Sequence, residues 1–341
     1  MVSRWFRLSG LDPVFFVSHM IFLGITYCIY LTPHIAPSTF PYFGFIPIIY
    51  PVLVLVNLIL IVILFWRRIP FAFLFLILST GLYKPLSKSF QYFGEMPAEQ
   101  PDLKIITLNG HGFQEKGYLE FFAKEKPDIL LLQEVYWKKK AFKTLKDSIF
   151  PDYYHEKNSL IQVLSKYPIV EFKRIFSGEN NTSACAAYAD IDTGDDTIRV
   201  INAYLEPMFI DKKLVKESLD TDKTEENSKI IKNKLIKGFL QHETQIRKLL
   251  PYIYQSKHPV ILGGDLNSVP NSYEYQQLSY FLKDGYTEVG KSSGTSFHEF
   301  KYPIRIDYLL SSDDVQPIKI EVRKEIKISD HYPVIGHFKL P

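Results

Sequence analysis

Pro259-Val260-Ile261-Leu262-Gly263-Gly264-Asp265-Leu266-Asn267 joins a short apolar run to a glycine pair, then to an acid and an amide. The apolar run reads as a buried strand, and Gly, Asp and Asn suit the turn that follows it. A strand that ends in this way sets polar side chains at the rim of a rigid sheet, where binding and catalytic groups concentrate. The pattern recurs along the chain. Residues 103–108 end in Asn109-Gly110-His111, residues 128–132 end in Gln133-Glu134, and residues 327–329 lead into Asp330-His331-Tyr332-Pro333. A fifth segment, Arg305-Ile306-Asp307-Tyr308, sets an acid inside an alternating strand, where a buried carboxylate is costly unless paired. Taken singly, each cluster reads as a turn, a cap or a surface residue. Five in one chain point to a site.

From residue 103 onward, short apolar runs alternate with polar, helix-like segments. Strands are expected at 103–108, 129–132, 160–164, 186–191, 197–204, 259–262, 304–310, 318–323 and 333–340. Helices are expected at 118–126, 138–148, 225–252 and 272–282. Within 225–252, Ile231, Leu235, Phe239, Ile246 and Leu250 recur at about helical spacing. So many strands with helices between them imply sheets packed face to face with helices outside, an α/β sandwich. The segment 208–233 mixes Lys, Asp and Glu and reads as a solvated loop and helix.

Composition divides the chain in two. Residues 1–101 hold six basic residues (Arg4, Arg7, Arg67, Arg68, Lys84, Lys88) against three acids (Asp12, Glu95, Glu99). That difference equals the net charge of the whole chain, +3, so residues 102–341 are neutral overall. A duplex-binding surface usually carries a basic footprint, and this balance lends it no support. The two cysteines, Cys28 and Cys185, are too few for a disulfide framework and read as small buried hydrophobes.

Three apolar stretches fill the N-terminal third, at 13–31, 43–66 and 69–83. The second is long enough to span a bilayer and the first is close to it, interrupted only by His19 and a few hydroxyls. The third is short and needs Lys84 and Lys88 to snorkel. No small-residue cleavage pattern follows the first stretch; Pro33, Pro37, Pro41 and Pro47 lead into the next one instead. Residues 1–95 therefore read as a membrane anchor of about three transmembrane helices, with residues 102–341 as a separate domain. Arg4 and Arg7 before the first span and Arg67-Arg68 after the second, with no Lys or Arg between the spans, place these ends in the cytoplasm. With three spans the following domain lies outside the cytoplasm; if 69–83 is only interfacial, it lies inside.

The strand-end clusters resemble, in order, the motifs of the endonuclease/exonuclease/phosphatase superfamily, which includes deoxyribonuclease-I-like nucleases, sphingomyelinases and inositol-phosphate phosphatases. The segments are Leu108-Asn109, Leu132-Gln133-Glu134, Leu164-Ser165-Lys166-Tyr167-Pro168, Gly264-Asp265-Leu266-Asn267, Arg305-Ile306-Asp307 and Ser329-Asp330-His331-Tyr332-Pro333. The resemblance implies a four-layer α/β sandwich, here in a membrane-anchored bacterial form. It implies a hydrolase that attacks phosphoester bonds with water and a divalent metal, magnesium or manganese. Glu134 resembles the metal-binding carboxylate, Asn109 the amide that orients the metal shell and phosphate, and Asp330 a further metal contact. Asp265 resembles the acid that positions or deprotonates the attacking water, and Asn267 its phosphate-contacting partner. Asp307 and His331 resemble the family dyad, whose imidazolium stabilises phosphoryl oxygen. Whether Asp265 or His331 is the base stays open.

Two positions depart from the pattern. Tyr204 stands where many members carry a phosphate-binding His, and is either a phosphate donor or a packing residue. His111 stands where exonuclease III-like members carry an acid, so the metal site is expected to be single and poorer in carboxylates. Asn181 corresponds to a phosphate-contacting amide. The substrate class, lipid or nucleic acid, is not resolved by these motifs. The neutral domain, the anchor near lipid headgroups and the insertion after the Tyr204 strand, placed to roof the site, favour a lipid or small phosphodiester over a membrane-tethered nuclease. A non-catalytic binding module on the same fold would normally have lost Glu134, Asp265 or His331. The bilayer is the expected partner of the anchor, and no protein partner follows from the sequence. The expected location is a bacterial cytoplasmic membrane, with the catalytic domain outside the cytoplasm.

Overall fold

The computed structural model describes residues 12–67, 71–92, 94, 97–178, 182–210, 212–218, 224–300 and 302–341. In chain order the strands are β1 (Phe90–Gln91), β2 (Leu103–Asn109), β3 (Ile129–Gln133), β4 (Tyr154–Asn158), β5 (Ile161–Ser165), β6 (Ile169–Ser177) and β7 (Cys185–Asp192). They continue with β8 (Thr197–Tyr204), β9 (Val260–Asp265), β10 (Lys283–Asp284), β11 (Ser292–Ser293), β12 (Asp307–Ser311), β13 (Gln316–Val322) and β14 (Val334–Lys339). The helices are α1 (Asp12–Tyr27), α2 (Phe45–Trp66), α3 (Ala72–Ser79), α4 (Tyr83–Ser87), α5 (Tyr118–Glu125) and α6 (Lys140–Ile149). After them come α7 (Lys212–Glu217), α8 (Thr224–Leu249), α9 (Pro251–Tyr254), α10 (Tyr273–Ser279) and α11 (Gly285–Val289).

Two six-stranded mixed sheets form the centre, in the orders β10-β12-β9-β8-β7-β6 and β13-β14-β2-β3-β5-β4. Their facing sides interdigitate through Ile105, Leu131 and Val163 from one sheet and Ala189, Val200, Ile261 and Leu309 from the other. Phe121, Phe122, Phe142 and Leu145 of α5 and α6 cover the outer side of the β2 sheet. Ile246, Leu249, Ile253 and Leu278 of α8 to α10 cover the outer side of the β9 sheet. The fold is thus the expected four-layer α/β sandwich. Strands β4 and β6 were not anticipated, because Tyr154–Asn158 is mostly polar and Ile169–Ser177 is a largely exposed edge. The single long helix expected at 225–252 is two, α8 and α9, with Pro251 opening the second.

Because side chains alternate across a strand, the last inward positions of neighbouring strands converge at one end of the sandwich. Asn109 ends β2, Tyr204 ends β8, Asp265 ends β9 and Asp307 begins β12. Tyr204 and Asp307 are both in register with Asp265. Gly264 sits at φ 149°, and a Cβ there would lie 1.9 Å from the carbonyl oxygen of Ala203. The glycine lets β9 pass this close to β8 immediately before Asp265.

The N-terminal region holds the three expected apolar stretches, of unequal length. Two helical segments, Pro13–His34 and Pro41–Trp66, are long and apolar enough to cross a membrane, while the third, Ala72–Ser87, is shorter. It is broken into α3, a 3-10 turn at Thr80–Leu82 and α4. Only 22% and 28% of the two long segments is buried; Ile21, Leu55, Ile59 and Val62 face outward, unlike core helices of a soluble protein. The seam between the helices holds Leu23, Tyr50, Val54, Ile61 and Phe75. Within it His19 Nε2 pairs with Asn57 Oδ1 at 2.9 Å and Asn57 Nδ2 with Ser79 Oγ at 2.7 Å, while His19 Nδ1 is buried without a partner. Of the arginines used to orient the anchor, Arg4, Arg7 and Arg68 lie outside the described residues.

The turns that join α1 to α2 dock on the sandwich. Ser38 donates from N and Oγ to the Glu243 carboxylate at 2.7 and 2.9 Å. Thr32 Oγ1 donates to Asn271 O at 3.0 Å, and Tyr302 OH to Ile48 O at 2.6 Å. At the other end of the N-terminal helical region, Arg305 Nη1 donates to Lys88 O at 2.7 Å, and β1 pairs with β11. The sandwich therefore sits at the end of α2 opposite Arg67.

Candidate active site

At the convergent strand ends, Asn109 is the hub. Its Nδ2 donates to Glu134 Oε1 at 2.9 Å and to Asp265 Oδ2 at 3.0 Å, and its Oδ1 accepts from the His111 backbone N at 3.1 Å. Both amide hydrogens are thereby used, so Asn109 fixes two carboxylates relative to one another. Tyr204 OH donates to the same Glu134 oxygen at 2.8 Å. Burial, with the nearby Glu134 and Asp265, holds the Tyr204 phenol well above its ordinary pKa, so it remains a donor. Glu134 lines the cleft with a side-chain exposure of 30%, and its second oxygen lies 3.8 Å from His111 Nδ1.

Asp265 is buried, and Asn267 closes around it: the backbone N donates to Oδ1 at 2.8 Å and Nδ2 to Oδ2 at 3.3 Å. The remaining amide hydrogen of Asn267 goes to Leu205 O at 3.0 Å. Asn267 thus orients Asp265 here rather than presenting its N–H groups to the cleft. Burial pushes the Asp265 carboxyl up to about 7, against the opposing pull of His331.

His331 Nδ1 and Asp307 Oδ2 are 2.8 Å apart, and Nε2 faces Asp265 Oδ2 at 3.8 Å. Burial disfavours the charged ring, but the Asp307 and Asp265 carboxylates together outweigh it and raise its pKa to about 10. The imidazole is therefore cationic at neutral pH. Phe297 packs on the ring at 4.8 Å between centroids. Asp307 Oδ1 is buried with no hydrogen-bond partner. Asp330 lies beside this group, its Oδ2 3.3 Å from His111 Nδ1. His111, Glu134 and Asn267 adopt left-handed backbone (φ 42°, 54° and 46°), which turns each chain sharply at the strand end and stores strain at the site.

All the residues named from sequence converge here except Asn181, which lies outside the described residues. Three supports were not legible. Ser296 Oγ accepts from the backbone N of Ile306 and of Asp307, both at 3.0 Å, and so sets where β12 begins. Ser329 Oγ donates to Asn109 O at 2.7 Å, tying the loop that enters β14 to the end of β2 within one sheet. Beneath the site Gln133 Nε2 donates to Asn202 Oδ1 at 2.7 Å. The inward, polar ends of otherwise apolar strands were the available signal for Gln133 and Asn202; nothing marked Ser296.

Two groups of donors exist. The ligand atoms of Asp265, Asp307 and His331 lie within 4.8 Å of one another. The short Asp307–His331 bond occupies one ring nitrogen, so this group reads as a dyad facing a carboxylate. On the cleft side Glu134 Oε2 and Asp330 Oδ2 flank His111 Nδ1 at 3.8 and 3.3 Å; with that ring turned aside, the two carboxylates and Asn109 Oδ1 would give an oxygen set of the kind a hard divalent cation takes while keeping several waters.

A family model described as Endonuclease/Exonuclease/phosphatase family matches residues 106–331, well over half of the chain. The chain belongs to the endonuclease/exonuclease/phosphatase family. A second model, Domain of unknown function (DUF8431), matches residues 12–89. No curated protein sequence matched. Among solved structures, an endonuclease/exonuclease/phosphatase family protein from Leptotrichia buccalis is 18% identical, with 70% of this chain and 100% of that one covered and a TM-score of 0.51. Humanized D. rerio TDP2 is 14% identical over 70% of this chain and 98% of that chain (TM-score 0.50). The human Nocturnin catalytic domain is 14% identical over 72% and 97% (TM-score 0.50). At these identities the structures speak for the fold, and the family assignment rests on the motif-bearing region.

Proposed function

We propose that this chain is a membrane-anchored, divalent-metal-dependent phosphoester hydrolase acting on a lipid or small phosphodiester. The observation that carries the hydrolase reading is the buried Asp307–His331 pair facing Asp265 across 3.8 Å, with Glu134 held alongside by Asn109, in a chain of this family. Magnesium or manganese held by Glu134, Asn109 and Asp330 would offset charge on phosphoryl and leaving oxygens. Asp265, raised to about 7, is basic enough to take a proton from an attacking water near neutral pH and stays anionic above that range. His331, cationic below about 10, donates to a phosphoryl oxygen from Nε2, and Asp307 at Nδ1 favours the charged ring and fixes its direction. This division makes Asp265 the base and His331 the electrostatic donor.

Anchoring by residues 1–95 is supported by the two long helices with outward-facing apolar sides. The test is hydrolysis by the purified full-length chain in detergent, with magnesium or manganese against chelator. The panel is phospholipids, sphingomyelin, inositol phosphates, RNA and plasmid DNA. Metal-dependent turnover of a lipid or small phosphodiester supports the reading. Plasmid nicking without lipid turnover makes it a tethered nuclease, and no turnover of any phosphoester removes the hydrolase reading.

A further inference from the structure

The cleft at His331 does not end at the polar groups. It is one end of a chamber of about 760 Å³ with three kinds of wall. One is the insertion after β8, including Met208, Ile210, Ile231 and Leu235; the second is the anchor, including Ile35, Phe40, Pro47 and Ile48; the third is the sandwich's own loops, including Val269, Phe300 and Ile304. The segment read from sequence as solvated is thus amphipathic, its apolar residues lining the chamber. Its volume falls in the range of pockets that enclose a drug-sized ligand. Ionisable side chains line it at the catalytic end (His111, Glu134, Asp330 and His331), apart from Glu274, which is buried against His242. Among the described residues, no Lys or Arg lines it. A polyanionic nucleic acid gains nothing from such walls.

Its position completes the argument. At about 1.5 Å per residue, α2 (22 residues) is about as long as a hydrocarbon core is thick. The chamber lies at the sandwich end of α2, where Gly44 allows the Phe239 ring to pack directly on the anchor; a Cβ at Gly44 would come within 2.6 Å of it. With α2 across a bilayer, this end is at headgroup level. We infer that the chamber takes up one acyl chain of a membrane lipid whose phosphoester lies between Asp265, His331 and Glu134. The inference rests on the hydrolase reading above for the reacting end, and on the chamber together with α2 crossing a bilayer for the chain.

The test uses the full-length chain in phosphatidylglycerol nanodiscs doped with phosphatidylglycerol bearing a diazirine at the end of one acyl chain. Photolysis and peptide mass spectrometry are expected to place cross-links on Met208, Ile231 or Leu235, in addition to the outer faces of α1 and α2. In parallel, kcat/KM is measured over a series of short-chain phosphoesters with the headgroup turned over best. It is expected to rise about three- to fourfold per added methylene until the chamber is filled. Leu235→Trp is expected to lower the long-chain to short-chain ratio by tenfold or more. Turnover with no chamber cross-links and no chain-length dependence overturns the inference and leaves the hydrolase reading standing. Chamber cross-links with no hydrolysis of any phosphoester do the reverse.

Discussion

His331 Nε2 and Asp265 Oδ2 face one another across 3.8 Å, the first on the loop entering β14 and the second at the end of β9, in opposite sheets. The gap is too long for a direct hydrogen bond and short enough for strong electrostatic influence. Each group biases the other: the carboxylate favours the imidazolium, and the imidazolium opposes protonation of the carboxylate. The reactive space therefore lies between the two sheets, and the relative placement of the sheets is part of the chemistry.

The pH dependence follows from this pair. On the proposed division of roles, Asp265 is expected to serve as base once ionised, above about 7, and His331 as donor while protonated, below about 10. At saturating magnesium, kcat/KM is expected to rise with pH through about 7, level off, and fall toward 10. Asp307→Asn removes a carboxylate that raises the His331 pKa, so the alkaline limb is expected to move down toward the ordinary histidine range. A flat profile from about 5 to 10 would contradict the assignment.

Tyr204 tests the metal side separately. Its hydroxyl donates to the Glu134 oxygen that Asn109 also holds. Tyr204→Phe is expected to weaken manganese affinity about 10- to 100-fold, as loss of an outer-shell partner commonly does. Glu134→Ala is expected to weaken it further. Calorimetric titration of manganese into the full-length chain reads both. Unchanged affinity in Tyr204→Phe would leave Tyr204 as packing.

Much of this site was legible because the sandwich places function where strand periodicity ends. The runs before Asn109, Glu134 and Asp265 announced buried strands, and the candidate residues are the polar ones within the first few positions past each run. What stayed hidden depends on contacts between distant segments. Asn267 reads as a phosphate ligand by resemblance, yet its amide hydrogens go to Leu205 and Asp265. The third span reads as one helix by hydropathy, but breaks at Thr80–Leu82, where Tyr30 OH takes up the Gly81 carbonyl at 2.6 Å. The apolar side of 208–233 was masked by its Lys, Asp and Glu, since only docking against the anchor shows which residues turn inward.

Arg305 carries a structural prediction. It is buried, donates to both Asp284 oxygens at 2.8 and 2.5 Å, and stacks between Tyr286 and Tyr308. Arg305→Ala leaves the Asp284 charge buried without this partner and is expected to cost about 3–5 kcal/mol. Arg305→Met with Asp284→Asn is expected to cost less than the single change. Urea unfolding in detergent measures both; a single-variant cost under about 1 kcal/mol would show that the pair is not needed.

Topology is testable on cells. The sandwich docks at the end of α2 opposite Arg67, and no Lys or Arg lies in the connection from α1 to α2. By the positive-inside rule a domain at that end is expected outside the cytoplasm, which requires the shorter segment Ala72–Ser87 to cross back. Protease added to intact spheroplasts is expected to degrade the chain beyond residue 95. Full protection until lysis would reverse the orientation.

The central claim is metal-dependent phosphoester hydrolysis by Asp265 and His331, and its most direct measurement is product release by the full-length chain in lipid nanodiscs at pH 8. The comparison is native chain against His331→Ala and Asp265→Asn, each with magnesium and with chelator. The account predicts turnover by the native chain with magnesium, none with chelator, and a loss on the order of 100-fold or more in each variant with folding intact. Equal turnover in all three chains, or turnover undiminished by chelator, would contradict it.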